Sequence, residues 1–202
     1  MFRKTLFFGL IASCVSALAS WDTASATEVR YKSFDHSMVE QEGQGRSIVF
    51  VPGLSSSPDV FDDGISSIEG HIHKVYISGF AGREPPQTSD AVVVPIADDL
   101  SEFIDTNDLK DVVLVGHSMG GIVSMLVARQ NDRIAKILVV DSVPFLPGLF
   151  HPAATPESAA EMRPGLRAQM DAASDAQYLA FVREGLVRQA ISIEAREYVF
   201  AD

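Results

Sequence analysis

One cysteine, Cys14, is all the thiol chemistry this 202-residue chain contains, and it lies near the N-terminus inside an apolar stretch. No disulfide framework and no thiolate metal site can be built from it. Positive charge is short as well: 16 lysines and arginines stand against 27 aspartates and glutamates, a formal charge of -11. A surface of that sign repels phosphate backbones, so nucleic acid is excluded as the expected partner. No apolar run reaches the roughly 18 residues that a spanning helix needs, and no transmembrane span is expected. Repeats and low-complexity tracts are also missing. What is present is the composition of a globular chain, 47% hydrophobic and 21% charged. At this length such a chain buries a core without a disulfide or metal staple.

The N-terminus reads as an address. Arg3 and Lys4 form a short positive region, Leu6 to Leu18 is apolar apart from small Ser and Cys, and Ala24-Ser25-Ala26 offers a cleavage site. Residues 1–26 are therefore expected to be a secretory signal, with export to the periplasm or the medium. The competing reading is a lipoprotein box, Ile11-Ala12-Ser13-Cys14, anchored through Cys14. Against it, the apolar region before Cys14 is short and Val15 to Ala19 is unusually apolar for the first residues of a lipoprotein.

Four β-branched apolar runs follow, each ended by a breaker or a polar turn: Ser47 to Pro52, Lys74 to Ser78, Asp111 to Val115, and Ala135 to Val140. All read as buried parallel strands. Helical patterns lie between them, one opening at Ser57-Pro58, one from about Pro95 through Ile104, and one from Met119 to Gln130. This alternation predicts an α/β chain with a doubly wound, mostly parallel sheet and helices on both faces. After Asp141 the texture changes. Pro144, Pro147, Gly148 and Pro152 break the chain, and from Pro156 to about Phe200 it is Ala-, Glu- and Arg-rich with helical spacing, as an all-helical insertion would be.

The third strand runs directly into Gly116-His117-Ser118-Met119-Gly120-Gly121, and the helix begins at once. A nucleophile between strand and helix sits on a sharp turn whose flanking side chains would collide with both elements, and Gly116, Gly120 and Gly121 remove them. Such a turn lifts the Ser118 hydroxyl to the carboxyl end of the sheet, over the positive end of the new helix. The chemistry expected is nucleophilic attack on a carbonyl. An oxyanion hole needs two backbone donors. The first strand ends in Pro52-Gly53-Leu54-Ser55, beside the turn in a doubly wound sheet, so the donors are assigned to the Leu54 and Met119 N–H groups. His117 adjoins Ser118 in sequence but points elsewhere on so tight a turn and is read as a packing residue.

These residues resemble the α/β-hydrolase superfamily, secreted bacterial esterases in particular. The resemblance rests on the Val51-to-Pro58 loop, Gly79-Phe80-Ala81-Gly82, the Gly116-to-Gly121 turn, and the strand Ile137 to Asp141, covering residues 47–141. It implies an α/β-hydrolase core over residues 27–142 and a helical cap over 143–202, the chain ending before the remaining core strands and leaving Ala135 to Val140 as a sheet edge. It implies a serine hydrolase for carboxylic esters or related acyl compounds, with no cofactor and no metal. The family has His-Gly where this chain has Pro52-Gly53. Its triad runs Ser, acid, His. Here the only later histidine is His151, in the Pro-rich approach to the cap, and the matching acid position after the last strand is Asp141. Neither sits where the family's acid and base usually do. The alternative expectation is a catalytically incomplete fragment or a non-enzymatic relative that binds a small ligand. Esterase, thioesterase, C–C hydrolase and haloperoxidase chemistries share the scaffold and are not separated by these residues.

Overall fold

The computed structural model describes residues 30–87, 92–145, 147–148 and 151–189. The expected signal at 1–26, with Cys14 and the cleavage site before Thr27, lies outside the described residues, as do residues 190–202 of the expected cap. The chain falls into two compact units with the boundary between Pro144 and Phe145.

In the first unit the four apolar runs become β3 (Ser47–Val51), β4 (His71–Ile77), β5 (Val112–His117) and β6 (Ile134–Val140), all parallel. Two further strands, β1 (Arg30–Ser33) and β2 (Ser37–Gly43), pair antiparallel to each other, and β2 to β4, giving the order β1-β2-β4-β3-β5-β6. These two lie outside the four expected strands because little in them is apolar. β1 is exposed at every residue and β2 buries only Ser37 and Val39. Polar contacts hold the hairpin instead: the Asp99 carboxylate accepts from the His36 N–H at 3.0 Å and the Ser37 hydroxyl at 2.9 Å.

Between β3 and β4 the expected helix is only a 3₁₀ turn, Pro58–Phe61, and one turn of α1 (Asp62–Ile65). The long helices are α2 (Val93–Thr106) and α3 (Met119–Gln130). Register puts Val49, His73 and Leu114 on one sheet face. Against it pack Ile96, Leu100, Phe103 and Ile104 of α2 and Val123 and Val127 of α3, closing a core with Val51, Val75, Ile77 and Val112. Burial of these apolar side chains is the main term holding the unit together. Within this unit the other face meets the 3₁₀ turn, whose Phe61 ring lies 5.3 Å from that of Phe50.

β6 is not the buried strand that its apolar run alone suggests, and it stands at the sheet edge that the family resemblance implied for Ala135 to Val140. It is the edge of the described sheet, and Ile137, Leu138 and Val140 are 42%, 55% and 43% exposed. A parallel strand is buried only when elements cover its faces and outer edge, and among the described residues only β5 pairs with it. The described part of the second unit holds two helices, α4 (Pro156–Asp171) and α5 (Asp175–Gln189), joined and preceded by turns. Each helix opens on a reciprocal cap: Thr155 and Ser158 exchange N–H to hydroxyl bonds of 2.9 and 3.2 Å, while the Ser174 N–H donates to the Gln177 amide oxygen at 2.9 Å and the Gln177 N–H to the Ser174 hydroxyl at 3.3 Å. No described helix is long and apolar enough to cross a membrane.

Candidate active site

β5 ends at His117 and α3 begins at Met119, so the whole reversal falls on Ser118, which has φ 51° and ψ -119°. A non-glycine residue there is strained by about 1–3 kcal/mol and persists only when its surroundings over-determine it. Those surroundings are close-packed backbone. A Cβ on Gly116 would strike the Gly120 carbonyl and come within 2.5 Å of the Ser124 hydroxyl. One on Gly120 would strike the Val51 carbonyl, and one on Gly121 would lie 2.7 Å from the Ser142 Cβ. The glycines therefore let α3 close onto β5, onto the end of β3, and onto the loop after β6. Two bonds lock the turn: the Ser118 N–H donates to the Val140 carbonyl at 2.9 Å and the Gly121 N–H to the Ser118 carbonyl at 2.9 Å. Buried Ser124 adds a bond from its hydroxyl to the Gly120 carbonyl at 2.8 Å.

The β3 loop arrives beside this turn. A Cβ on Gly53 would sit 3.0 Å from the His117 Nδ1 and 3.3 Å from the Ser118 Cβ, so the loop backbone lies directly against the serine. Neither the Leu54 nor the Met119 N–H donates a hydrogen bond among the described residues. The Ser118 hydroxyl is half-buried, caps nothing, and has no hydrogen-bond partner among them either. The Met119 N–H thus directly follows Ser118 in the chain and the Leu54 N–H directly follows Gly53 on the adjoining loop, both uncommitted.

The model of the alpha/beta hydrolase family matches residues 48–201. The chain belongs to the α/β-hydrolase family. Relatives include the non-heme chloroperoxidase CPO-A1 of Kitasatospora aureofaciens, 31% identical over 101 residues, covering 49% of this chain and 34% of that protein. The sn-1-specific diacylglycerol lipase ABHD11 of Mus musculus is 28% identical over 120 residues, covering 58% of this chain and 39% of that protein. The chain thus spans little more than a third of the length of those curated relatives. Among solved structures, the N-acyl homoserine lactonase AidH superposes with a TM-score of 0.54 at 16% identity, covering 65% of this chain and 52% of that one, a likeness of fold.

In this family member the two sequence candidates for acid and base fall in different units. Asp141 follows β6 directly, exposed and with φ 47°, and its carboxylate has no described partner. His151 belongs to the second unit, where its N–H donates to the Pro147 carbonyl at 2.9 Å and its carbonyl accepts from the Ala154 N–H at 2.8 Å. The His117 ring rests against Gly53. No three His, Cys, Asp or Glu side chains gather as a metal site among the described residues.

One group of polar residues escapes sequence reasoning. Lys74 lies 2.7 Å from Asp62, 3.4 Å from Asp59 and 3.9 Å from Glu40. The Tyr76 hydroxyl, with one proton to donate, lies 3.0 Å from an Asp59 oxygen and 3.2 Å from a Glu40 oxygen. The Ser57 hydroxyl bond, with help from Tyr76 and Lys74, outweighs burial and holds the Asp59 carboxyl below its usual range. Burial opposes the charge on Lys74, but Asp62 and then Glu40 and Asp59 outweigh it and push its pKa up. Burial first, then the bond to Asp59, pushes the Tyr76 phenol up. Alternating strand positions and a loop aspartate give no local motif, so this cluster has no signature in the sequence.

Proposed function

We propose that this chain carries the nucleophile and oxyanion hole of a serine hydrolase acting on carboxylic esters. The observation that carries the reading is Ser118 on a left-handed strand-to-helix turn with the Gly53 backbone against it and the Leu54 and Met119 amides uncommitted. Ser118 Oγ attacks the ester carbonyl while a base takes its proton, and the carbonyl oxygen becomes an oxyanion held by the two N–H groups. Collapse of that intermediate expels the alcohol, which takes a proton, and leaves an acyl group on Ser118. Water then attacks the acyl-enzyme by the same route and releases the acid. The N-terminus of α3 beneath Ser118 adds a favourable partial charge. The likeness to a protein named as a diacylglycerol lipase supports esters as the substrate class.

A second reading is favoured by one observation, the missing hydrogen-bond partner on the Ser118 hydroxyl among the described residues. In that reading the chain binds a small acyl ligand without turning it over. Butylboronic acid separates the claims, because its boron becomes tetrahedral when a serine oxygen adds and places an oxygen in the oxyanion hole without needing a fast base. Boron-11 NMR is expected to show a tetrahedral adduct that vanishes in Ser118→Ala. A trigonal signal unchanged by the protein removes Ser118 as a nucleophile, and an adduct without ester turnover selects the binding reading.

A further inference from the structure

The segment that bears the Leu54 N–H, residues 52–57, has no regular structure. Its one internal backbone bond runs from the Ser56 N–H to the Gly53 carbonyl at 3.2 Å, and Ser55 is held at φ 60°. A loop with so little of its own and a strained non-glycine residue must be fixed from outside. At its start the fixing is steric, through Gly53 on His117 and Ser118 and the Val51 and Pro52 carbonyls on Gly120.

At its end the fixing is polar. The Ser57 hydroxyl donates to Asp59 at 2.7 Å and accepts the Asp59 N–H at 3.3 Å. The other oxygen of Asp59 accepts from Tyr76 at 3.0 Å and from Lys74 at 3.4 Å. Both partners stand on β4, the strand paired with β3, and continuing the Phe50 to Lys74 register brings Tyr76 level with Pro52, where the loop leaves the sheet. Apolar contacts already dock the 3₁₀ turn, since Pro58 is buried and Phe61 stacks on Phe50 with centroids 5.3 Å apart. Such contacts are non-directional. A carboxylate bonded through both oxygens to a loop hydroxyl on one side and a strand tyrosine and lysine on the other is directional. The arrangement has an electrostatic keystone too, because Lys74 is the cation paired with Glu40, Asp59 and Asp62, while the Arg83 guanidinium lies 5.8 Å from the Tyr76 ring centroid. Without it three carboxylates face each other and the loop end is repelled from the sheet.

We infer that Asp59, gripped by Tyr76 and Lys74, is a positioning residue that sets the Leu54 N–H against Ser118. This rests on the serine-hydrolase reading and adds a residue that acts through the loop and never touches substrate. The Asp59 carboxyl is held down and the Tyr76 and Lys74 groups are held up, so the grip keeps its charges across the neutral range.

The test is run on the full chain with two readouts, the dissociation constant of the butylboronate adduct and amide hydrogen exchange over the loop's end, residues 56–60, where the Ser56, Asp59 and Val60 N–H groups are hydrogen-bonded. Tyr76→Phe and Asp59→Ala are expected to weaken the adduct about 10-fold, since misplacement by an ångström costs up to about 100-fold. Exchange in the loop rises while β5 amides keep their protection, and Asp59→Asn, which can still bond Tyr76 and Ser57, recovers part of the affinity. The weakening is the same from about pH 5 to pH 9. Where Asp59→Ala does not fold, Tyr76→Phe, lacking a single oxygen, carries the test. Unchanged adduct affinity in the variants overturns the inference whether or not the loop loosens, and weakening without faster loop exchange overturns it as well. No adduct in the unaltered protein is the distinct outcome in which the Ser118 reading itself fails and takes this inference with it.

Discussion

Ser118 and Asp141 leave neighbouring parallel strands at the same level, each with a left-handed backbone, φ 51° and φ 47°. The last registered pair of β5 and β6 is His117 with Val140, and the Ser118 N–H donates to the Val140 carbonyl at 2.9 Å. The turn at Ser118 is therefore held by the strand on one side as well as by α3 on the other, which is how its strain is sustained. Ser118→Gly relieves that strain. The variant is expected to be more stable by about 1 kcal/mol in urea unfolding while losing the boronate adduct. Lower stability for Ser118→Gly would mean the turn is not strained.

Gly120 has no room for a side chain, because a Cβ there would strike the Val51 carbonyl. Backbone cannot give way as a flexible side chain does, so Gly120→Ala should cost at least about 2 kcal/mol and open the gap between α3 and β3. A thermal midpoint equal to that of the unaltered protein would contradict this packing.

His73 is fully buried beneath α2, its ring 5.3 Å from Phe103 and 4.1 Å from His71, with neither nitrogen hydrogen-bonded. Burial, aided by the neighbouring His71, lowers its pKa from 6.5 to about 3. The unfolded chain takes up a proton below pH 6.5 that the folded chain refuses until about pH 3, so the stability this neutral imidazole contributes is whole above 6.5 and lost as pH falls through that window. At pH 5 the loss is about 2 kcal/mol. His73→Leu should flatten this part of the stability profile and match or exceed the unaltered protein at pH 7, since two unpaired polar atoms leave the core. An identical acid slope in His73→Leu would assign the dependence to other groups.

With no hydrogen-bond partner on Ser118 Oγ among the described residues, hydrolysis of p-nitrophenyl butyrate by this chain is expected to be slow. An oxyanion hole and binding alone give roughly 10³–10⁴ over water. His151→Ala should leave that rate unchanged. Turnover on the order of 10 per second that collapses in His151→Ala would instead make His151 the base.

The charged, apolar and small-residue order of residues 1–26 leads to the expectation that the exported protein begins at Thr27. N-terminal sequencing of protein recovered outside the cytoplasm checks it, and a lipid-modified Cys14 at the terminus would replace export in soluble form with anchoring.

The sequence by itself determined what is local. An apolar strand, three glycines around a serine and an apolar helix occupy one continuous stretch, and the steric demand of that reversal is written in the residues that make it, so Ser118 and its glycines were legible. The four parallel strands were legible for the same reason, because burial on a face requires runs of β-branched apolar residues. The tertiary structure decided what depends on partners distant in the chain. β1 and β2 are polar strands that exist through pairing and through Asp99, more than 60 residues away. The exposure of β6 depends on what lies beside it, not on its own apolar sequence. Asp59 meets Lys74 and Tyr76 across 15 and 17 residues only because β4 pairs in parallel with β3 in one register. A shift of one residue would turn Lys74 and Tyr76 to the other face of the sheet, and no local pattern of side chains records that choice.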